Sequence, residues 1–150
     1  MPAWGEGREK KMKSKSNFKI AIVVSKFNEE ITIKMKKIAI ERAKELKVDV
    51  AKVVEVPGAF EIPLAVKRLL EEKEIEGVAT IGTIIKGGTD HDKVVAHSVA
   101  RKLLDLSCKY GKPVSLGISG PNITWQQSKK RINEYATRAV DSVVKMVRKK

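Results

Sequence analysis

Residues 77–110, GVATIGTIIKGGTDHDKVVAHSVARKLLDLSCKY, pass through three patterns in succession. Up to Ile85 the chain is apolar and rich in β-branched residues, as in a strand buried on both faces. Lys86, Gly87, Gly88, Thr89 and Asp90 break that run. From Lys93 apolar residues return at helical spacing through Val94, Val95, Val99, Leu103, Leu106 and Tyr110, which are expected to face inward. A buried strand that runs straight into a long amphipathic helix is half of a β–α–β crossover. Cys108 lies within the same helical pattern and is expected to pack inside.

The same alternation extends in both directions. FKIAIVVS (18–25) reads as a buried parallel strand, and residues 32–46 as a helix with Met35, Ile38, Ala39, Ala43 and Leu46 on one face. VDVAKVVEV (48–56) is a second strand that Pro57 and Gly58 end. Residues 61–72 form a helix with Leu64, Ala65, Leu69 and Leu70 on its apolar face. Its Pro63 is tolerable because first-turn N–H groups have no helical partner. KPVSLGIS (112–119) is the fourth strand, Thr124 the N-cap of a short helix, and 133–149 the last helix. No hairpin signal separates the strands. The order βαβαβαβαα therefore predicts a three-layer αβα sandwich with a four-stranded parallel sheet, flavodoxin-like in layout, over residues 18–150. Residues 1–17, MPAWGEGREKKMKSKSN, show no apolar period and are expected to form a disordered basic arm, with Met12 an alternative start.

Composition narrows the functional classes. The chain has 150 residues, enough for one domain with a real core, and no apolar run near the ~20 residues that span a bilayer. A single cysteine excludes an internal disulfide and fits a reducing compartment, the cytoplasm; no hydrophobic segment of secretory type follows the charged N-terminus. The net charge of +13 admits nucleic acid, anionic membranes or phosphorylated small molecules as partners. A plainer source also exists. Lys34, Lys36, Lys37, Lys44 and Lys47 alternate with Glu41 and Glu45, as on an ordinary solvated helix face or a heat-adapted surface. There is no GxGxxG or Walker-type loop, no internal repeat, and no His, Cys and carboxylate cluster at metal-ligand spacing, so no metal site is expected.

In open α/β sheets ligands bind beyond the carboxyl ends of the strands. KFNEEIT, PGAFEIP, KGGTDHD and SGPNIT all meet that description. In KGGTDHD, Gly87 and Gly88 permit positive φ and close backbone approach. Their N–H groups and the Thr89 hydroxyl then form a cradle for an anion, with His91 two residues on as a proton carrier. A plain strand–turn–helix junction with Asp90 or Asp92 at the helix start explains the same residues. His97, inside the helix, reads as structural. Phe27 and Asn28 offer a ring to stack on a heterocycle or, equally, a core phenylalanine in a capping turn. Ala59 and Phe60 supply an apolar floor. Glu61 is a carboxylate that the helix dipole alone could explain. Any of Lys129, Lys130 and Arg131 could clamp a phosphate. Together these describe a pocket for a flat polar ring, a hydroxylated tail and a phosphate.

From residue 18 to 149 the chain resembles the 6,7-dimethyl-8-ribityllumazine synthases. The resemblance rests on KFNEEIT, VPGAFEIPLA and GTIIKGGTDHDKV in that order, with LGISGPNIT closer to archaeal than to bacterial members. It implies condensation of 5-amino-6-(D-ribitylamino)uracil with 3,4-dihydroxy-2-butanone 4-phosphate, with loss of water and phosphate and no cofactor. By the same resemblance Phe27 stacks on the pyrimidine, and Ala59, Phe60 and Glu61 hold the ribityl chain. The backbone of Thr83, Ile84 and Ile85 reads the uracil edge. Gly88 and Thr89 bind phosphate, and His91 moves protons. Arg131, with Lys130 the other candidate, clamps phosphate from its place in a site shared between subunits. Leu116 stands where bacterial members place a phenylalanine from a neighbour, Asp92 where they carry an aromatic, and Lys86 where arginine is common. The family assembles as pentamers or as a hollow icosahedral 60-mer, the latter favoured here. The rival readings are a paralogous archaeal-type riboflavin synthase and a basic nucleic-acid-binding α/β module.

Overall fold

The computed structural model describes residues 18–149, so the basic arm foreseen at 1–17 lies outside the described residues. The elements are β1 (Lys19–Ser25), α1 (Glu29–Glu45), β2 (Asp49–Val56), a 3-10 turn (Ala59–Glu61), α2 (Ile62–Leu70), β3 (Ile75–Ile85), α3 (His91–Tyr110), β4 (Gly117–Ile123), α4 (Trp125–Lys130) and α5 (Ile132–Arg148). Every strand pair is parallel, in the order β2-β1-β3-β4. This is the expected three-layer α/β sandwich.

The pleat of β1 shows why two layers of helices are needed. Ile20, Ile22 and Val24 pack with α1 and α5 on one face, while Ala21 and Val23 pack with α2 and α3 on the other. Burying both faces removes several large aliphatic side chains from water, each contributing about 1.5–3 kcal/mol. Surface ion pairs and hydrogen bonds join the two helices within each layer. The Arg42 guanidinium donates to Asp141 at 2.6 Å and to Glu45 at 2.9 Å, joining α1 to α5. Glu71 accepts from Lys67 and from the Tyr110 hydroxyl, so its carboxyl lies below the usual carboxylate range and α2 is linked to α3.

Four expectations need correction. Residues 112–116 do not form the fourth strand, making only a Val114–Val78 bridge, and β4 runs instead over Gly117–Ile123. The glycine and proline that read as a loop sit inside this strand. Pro121 is tolerated there because β4 is an edge and needs no ladder N–H on its outer side. Cys108 is exposed, as are Leu64 and Val94. The buried residues of α2 are Ile62, Ala65, Val66, Leu69 and Leu70, and those of α3 are Asp92, Val99, Leu103 and Leu106, so these three side chains lie off the buried stripes. The helix expected at 61–72 is split into the 3-10 turn and the shorter α2. The Thr124 cap is as expected: its hydroxyl accepts from the Gln127 N–H at 3.2 Å, and the Gln127 side chain accepts from the Thr124 N–H at 2.9 Å.

Candidate active site

Strand order sets the location. From β1 the chain goes out to β2 on one side and then returns to β3 on the other, so the loops after β1 and β3 diverge and leave a crevice at the carboxyl edge. A cleft of about 420 Å³ lies there, lined by Phe27, Asn28, Gly58, Ala59, Phe60, Glu61, Thr83, Ile84, Ile85, Gly87, His91, Asp92 and Val95. Its size suits a small metabolite. A larger cleft of about 580 Å³ around Lys73, Cys108 and Lys112 lies at the opposite end and contains none of the strand-end motifs.

The loops after β1 and β2 are stitched together. The N–H of Lys26 donates to Val56 C=O at 2.8 Å, and that of Phe27 to Pro57 C=O at 3.0 Å. Asn28 takes a left-handed conformation, φ 64°, which asparagine tolerates better than most residues. This turn leaves Phe27 70% exposed, with its ring beside Gly58. A Cβ on Gly58 would stand 3.2 Å from Phe27 Cδ2 and 3.3 Å from Glu61 Oε1. Glu61 Oε1 accepts the Gly58 N–H at 2.9 Å, which fixes one carboxylate oxygen. Buried Ala59 forms the floor beneath exposed Phe60.

The end of β3 forms the opposite wall. Its register with β1 stops at Val24 opposite Ile81, whereas β3 continues to Ile85, so Thr83–Ile85 extends past its β1 partner. The buried Thr83 hydroxyl bonds the hydroxyls of Ser119 at 2.7 Å and Ser128 at 2.8 Å, binding β3, β4 and α4 together. Residues 86–91 are exposed. Contrary to expectation, neither Gly87 nor Gly88 has positive φ, and a Cβ at either would meet nothing within 4 Å. What these glycines provide is uncovered backbone at the start of α3. The Thr89 hydroxyl accepts the His91 N–H at 3.3 Å, and His91 opens the helix with its side chain exposed.

Asp92 is only 4% exposed, although its neighbours in sequence face solvent. Its Oδ2 accepts the backbone N–H of Asn122, φ 61°, at 2.8 Å. At the other end of the loop, the Lys86 N–H donates to Ile123 C=O at 2.8 Å. Asp92, Gly58 and Val95 were not among the expected site residues. Spacing gives no sign of Asp92 or Val95, whereas Gly58 was visible inside PGAFEIP.

Phe27, Ala59, Phe60, Glu61, Thr83, Ile84, Ile85 and His91 thus converge from three separate segments on one cleft; Gly88 and Thr89 are not among its lining residues but lie in the exposed loop between Gly87 and His91, which are. Leu116 and Arg131 do not join them. Leu116 is 52% exposed and lines a groove between α3 and β4 that also contains His97. Arg131, at the end of α4, pairs with Glu134 at 3.4 Å, and neighbouring Lys129 reaches Glu30 at 3.8 Å. Among the described residues no group of three His, Cys, Asp or Glu side chains is arranged to hold a metal, and no helix is long and apolar enough to cross a membrane.

The sequence profile of the 6,7-dimethyl-8-ribityllumazine synthase family matches residues 17–150. The chain belongs to that family. It is 50% identical over 134 residues to the lumazine synthase of Methanopyrus kandleri, covering 89% of this chain and 94% of the relative. Identity with the enzyme of Metallosphaera sedula is 54% over 134 residues, covering 89% of each chain. With that of Methanococcus aeolicus it is 47% over 131 residues, covering 87% of this chain and 96% of the relative. These similarities place the chain beside archaeal lumazine synthases, and the aligned region is long enough to contain the whole cleft.

Proposed function

We propose that the protein condenses 5-amino-6-(D-ribitylamino)uracil with 3,4-dihydroxy-2-butanone 4-phosphate to form 6,7-dimethyl-8-ribityllumazine, a step of riboflavin biosynthesis. One observation carries this assignment to particular residues. Three motif segments far apart in sequence line a single cleft of about 420 Å³. The pyrimidine stacks against the Phe27 ring, and its polar edge pairs with the main chain of Thr83–Ile85, where β3 has outrun β1. The ribityl chain lies over Ala59 and Phe60. Its hydroxyl donates to the Glu61 carboxylate, whose other oxygen is already held by Gly58. The phosphate meets the open backbone at Gly88 and the Thr89 hydroxyl, at the positive end of α3.

With both substrates held, the primary amine attacks the ketone and water leaves to give an imine. Loss of a proton from carbon expels phosphate, and the ribitylamino nitrogen closes the ring with loss of a second water. Each step moves a proton, and His91 is the exposed imidazole at the cleft mouth that can relay it. Most of the acceleration comes from holding two reactants together, which requires no redox partner.

Leu116 and Arg131 reach a different subunit's cleft in this reading, Leu116 packing on the ring and Arg131 clamping phosphate. Both are exposed and stand outside their own chain's cleft. Phe60, Leu64 and Leu104 are likewise exposed apolar side chains, the kind of surface that a neighbour covers. The assembly is a pentamer, or twelve pentamers in an icosahedral shell, located in the cytoplasm. Mixing the purified protein with both substrates and following lumazine absorbance tests the reaction; a rate equal to the uncatalysed background rejects it. Light scattering tests the assembly, and a monomer rejects it.

A further inference from the structure

The exposed loop 86–91 is fastened at both ends to two consecutive residues of β4. Lys86 N–H is held by Ile123 C=O, and Asn122 N–H by the buried Asp92 carboxylate, each at 2.8 Å. The two fastenings differ in kind. The first is an ordinary ladder bond between parallel strands. The second is a charged side chain taken out of water to meet one backbone donor, in a chain where most carboxylates face solvent. Asn122 follows Pro121, which has no N–H, and is itself left-handed, so its donor has left the regular ladder and needs an acceptor. At Gly87 and Gly88 even an added Cβ would meet nothing within 4 Å, so the middle of the loop lies open.

We propose that Asp92 is a positioning residue for the phosphorylated substrate. It closes the loop into a fixed span, so that the backbone at Gly88 and the Thr89 hydroxyl meet phosphate without further ordering. This rests on the loop's being the phosphate site, and it goes beyond that assignment because Asp92 itself does not touch phosphate. Charge and position make opposite predictions. A carboxylate near an anion repels it, so its removal would tighten phosphate binding if charge were all that mattered. If closure of the loop dominates, its removal weakens binding.

The test uses the full chain, with steady-state kinetics for both substrates and inorganic phosphate as a competitive inhibitor. In Asp92→Ala the KM for the phosphorylated butanone and the inhibition constant of phosphate rise about tenfold, in line with loss of one charge-assisted hydrogen bond. The KM for the ribitylaminouracil and kcat change less than about threefold. Asp92→Asn retains an oxygen acceptor and stays within about twofold of wild type. Asp92→Ser, too short to reach Asn122, behaves like alanine and serves in its place if alanine does not fold. Unchanged or tighter phosphate binding in the alanine or serine variant overturns the proposal, as does equal weakening of both substrates. Wild-type protein that forms no lumazine and is not bound by phosphate removes the underlying assignment instead.

Discussion

Gly58→Ala separates folding from substrate binding in one methyl group. The residue has φ −145° and ψ 178°, an extended conformation that alanine adopts without strain. Replacing glycine also restricts the unfolded chain, worth about 0.4–1 kcal/mol in favour of the fold. Against this stands the crowding of the new Cβ, 3.2 Å from Phe27 Cδ2 and 3.3 Å from Glu61 Oε1, which a shift of a few tenths of an ångström relieves. Phe27 is mostly exposed and free to yield. The two terms nearly offset, leaving stability within about 1 kcal/mol and the melting temperature within about 4 °C of wild type. The binding site has no such compensation. The ring proposed to stack on the pyrimidine and the carboxylate proposed to hold the ribityl chain would both move away from the cleft floor. A misplacement of about 1 Å can cost about a hundredfold, so a few tenths should raise the KM for ribitylaminouracil roughly five- to tenfold. The KM for the phosphorylated substrate, whose proposed site is at the other end of the cleft, should not change. Steady-state lumazine formation with each substrate varied, together with a thermal melt, measures all three quantities. An unchanged ribitylaminouracil KM in a folded protein would refute the roles given to Phe27 and Glu61. A melting temperature lowered by well over 4 °C would show that Gly58 serves the fold first.

Further outcomes follow from the same geometry. His91→Ala should lower kcat by about ten- to a hundredfold with little change in either KM, because proton transfer is lost and proximity retained; an unaltered kcat would remove His91 from the mechanism. Arg131→Ala should weaken only the phosphorylated substrate. Mixing it with the slowed His91→Ala chain should raise turnover above that of either variant alone if the two residues serve one site from different subunits, and no rise would place both on one chain. Thr83→Val should lower stability by about 1–3 kcal/mol, since the buried hydroxyls of Ser119 and Ser128 lose a shared partner; a denaturation midpoint equal to wild type would show that the pair satisfies itself.

The centre of the sheet was legible because β1 and β3 are buried on both faces, and continuous β-branched runs such as 19–25 and 77–85 have few other readings. The fourth strand was not. It lies at an edge, mixes Gly120 and Pro121 into its length, and hands the Asn122 donor to a side chain from another element. Pattern reading counts such residues as a loop because it sees propensity and not partners. The cleft was legible for a different reason: strand ends were predictable once the layout was known, and the crossover order determined which ends meet. Asp92 was illegible because a carboxylate at a helix start is ordinary. Only the backbone of a strand thirty residues away makes this one buried.

The misplaced apolar residues share a further cause. Leu64 and Val94 fit a helical stripe, and that stripe is real, but periodicity records that a side chain avoids water without saying what covers it. In a single chain both remain exposed, together with Leu104 and Leu116 on the β4 side. If a second subunit covers these faces, the sequence was correct about burial and wrong only about which chain supplies the cover. The same logic separates Arg131 from the cleft whose phosphate it is proposed to clamp. A residue at the end of α4, fixed through Ser128 to Thr83 beneath one cleft, can face the next one. Every copy would then build one site with its loops and complete another with its edge. Dilution below the assembly's dissociation constant should therefore abolish turnover before any helix unfolds, and activity that is strictly proportional to concentration down to the monomer would refute a shared site.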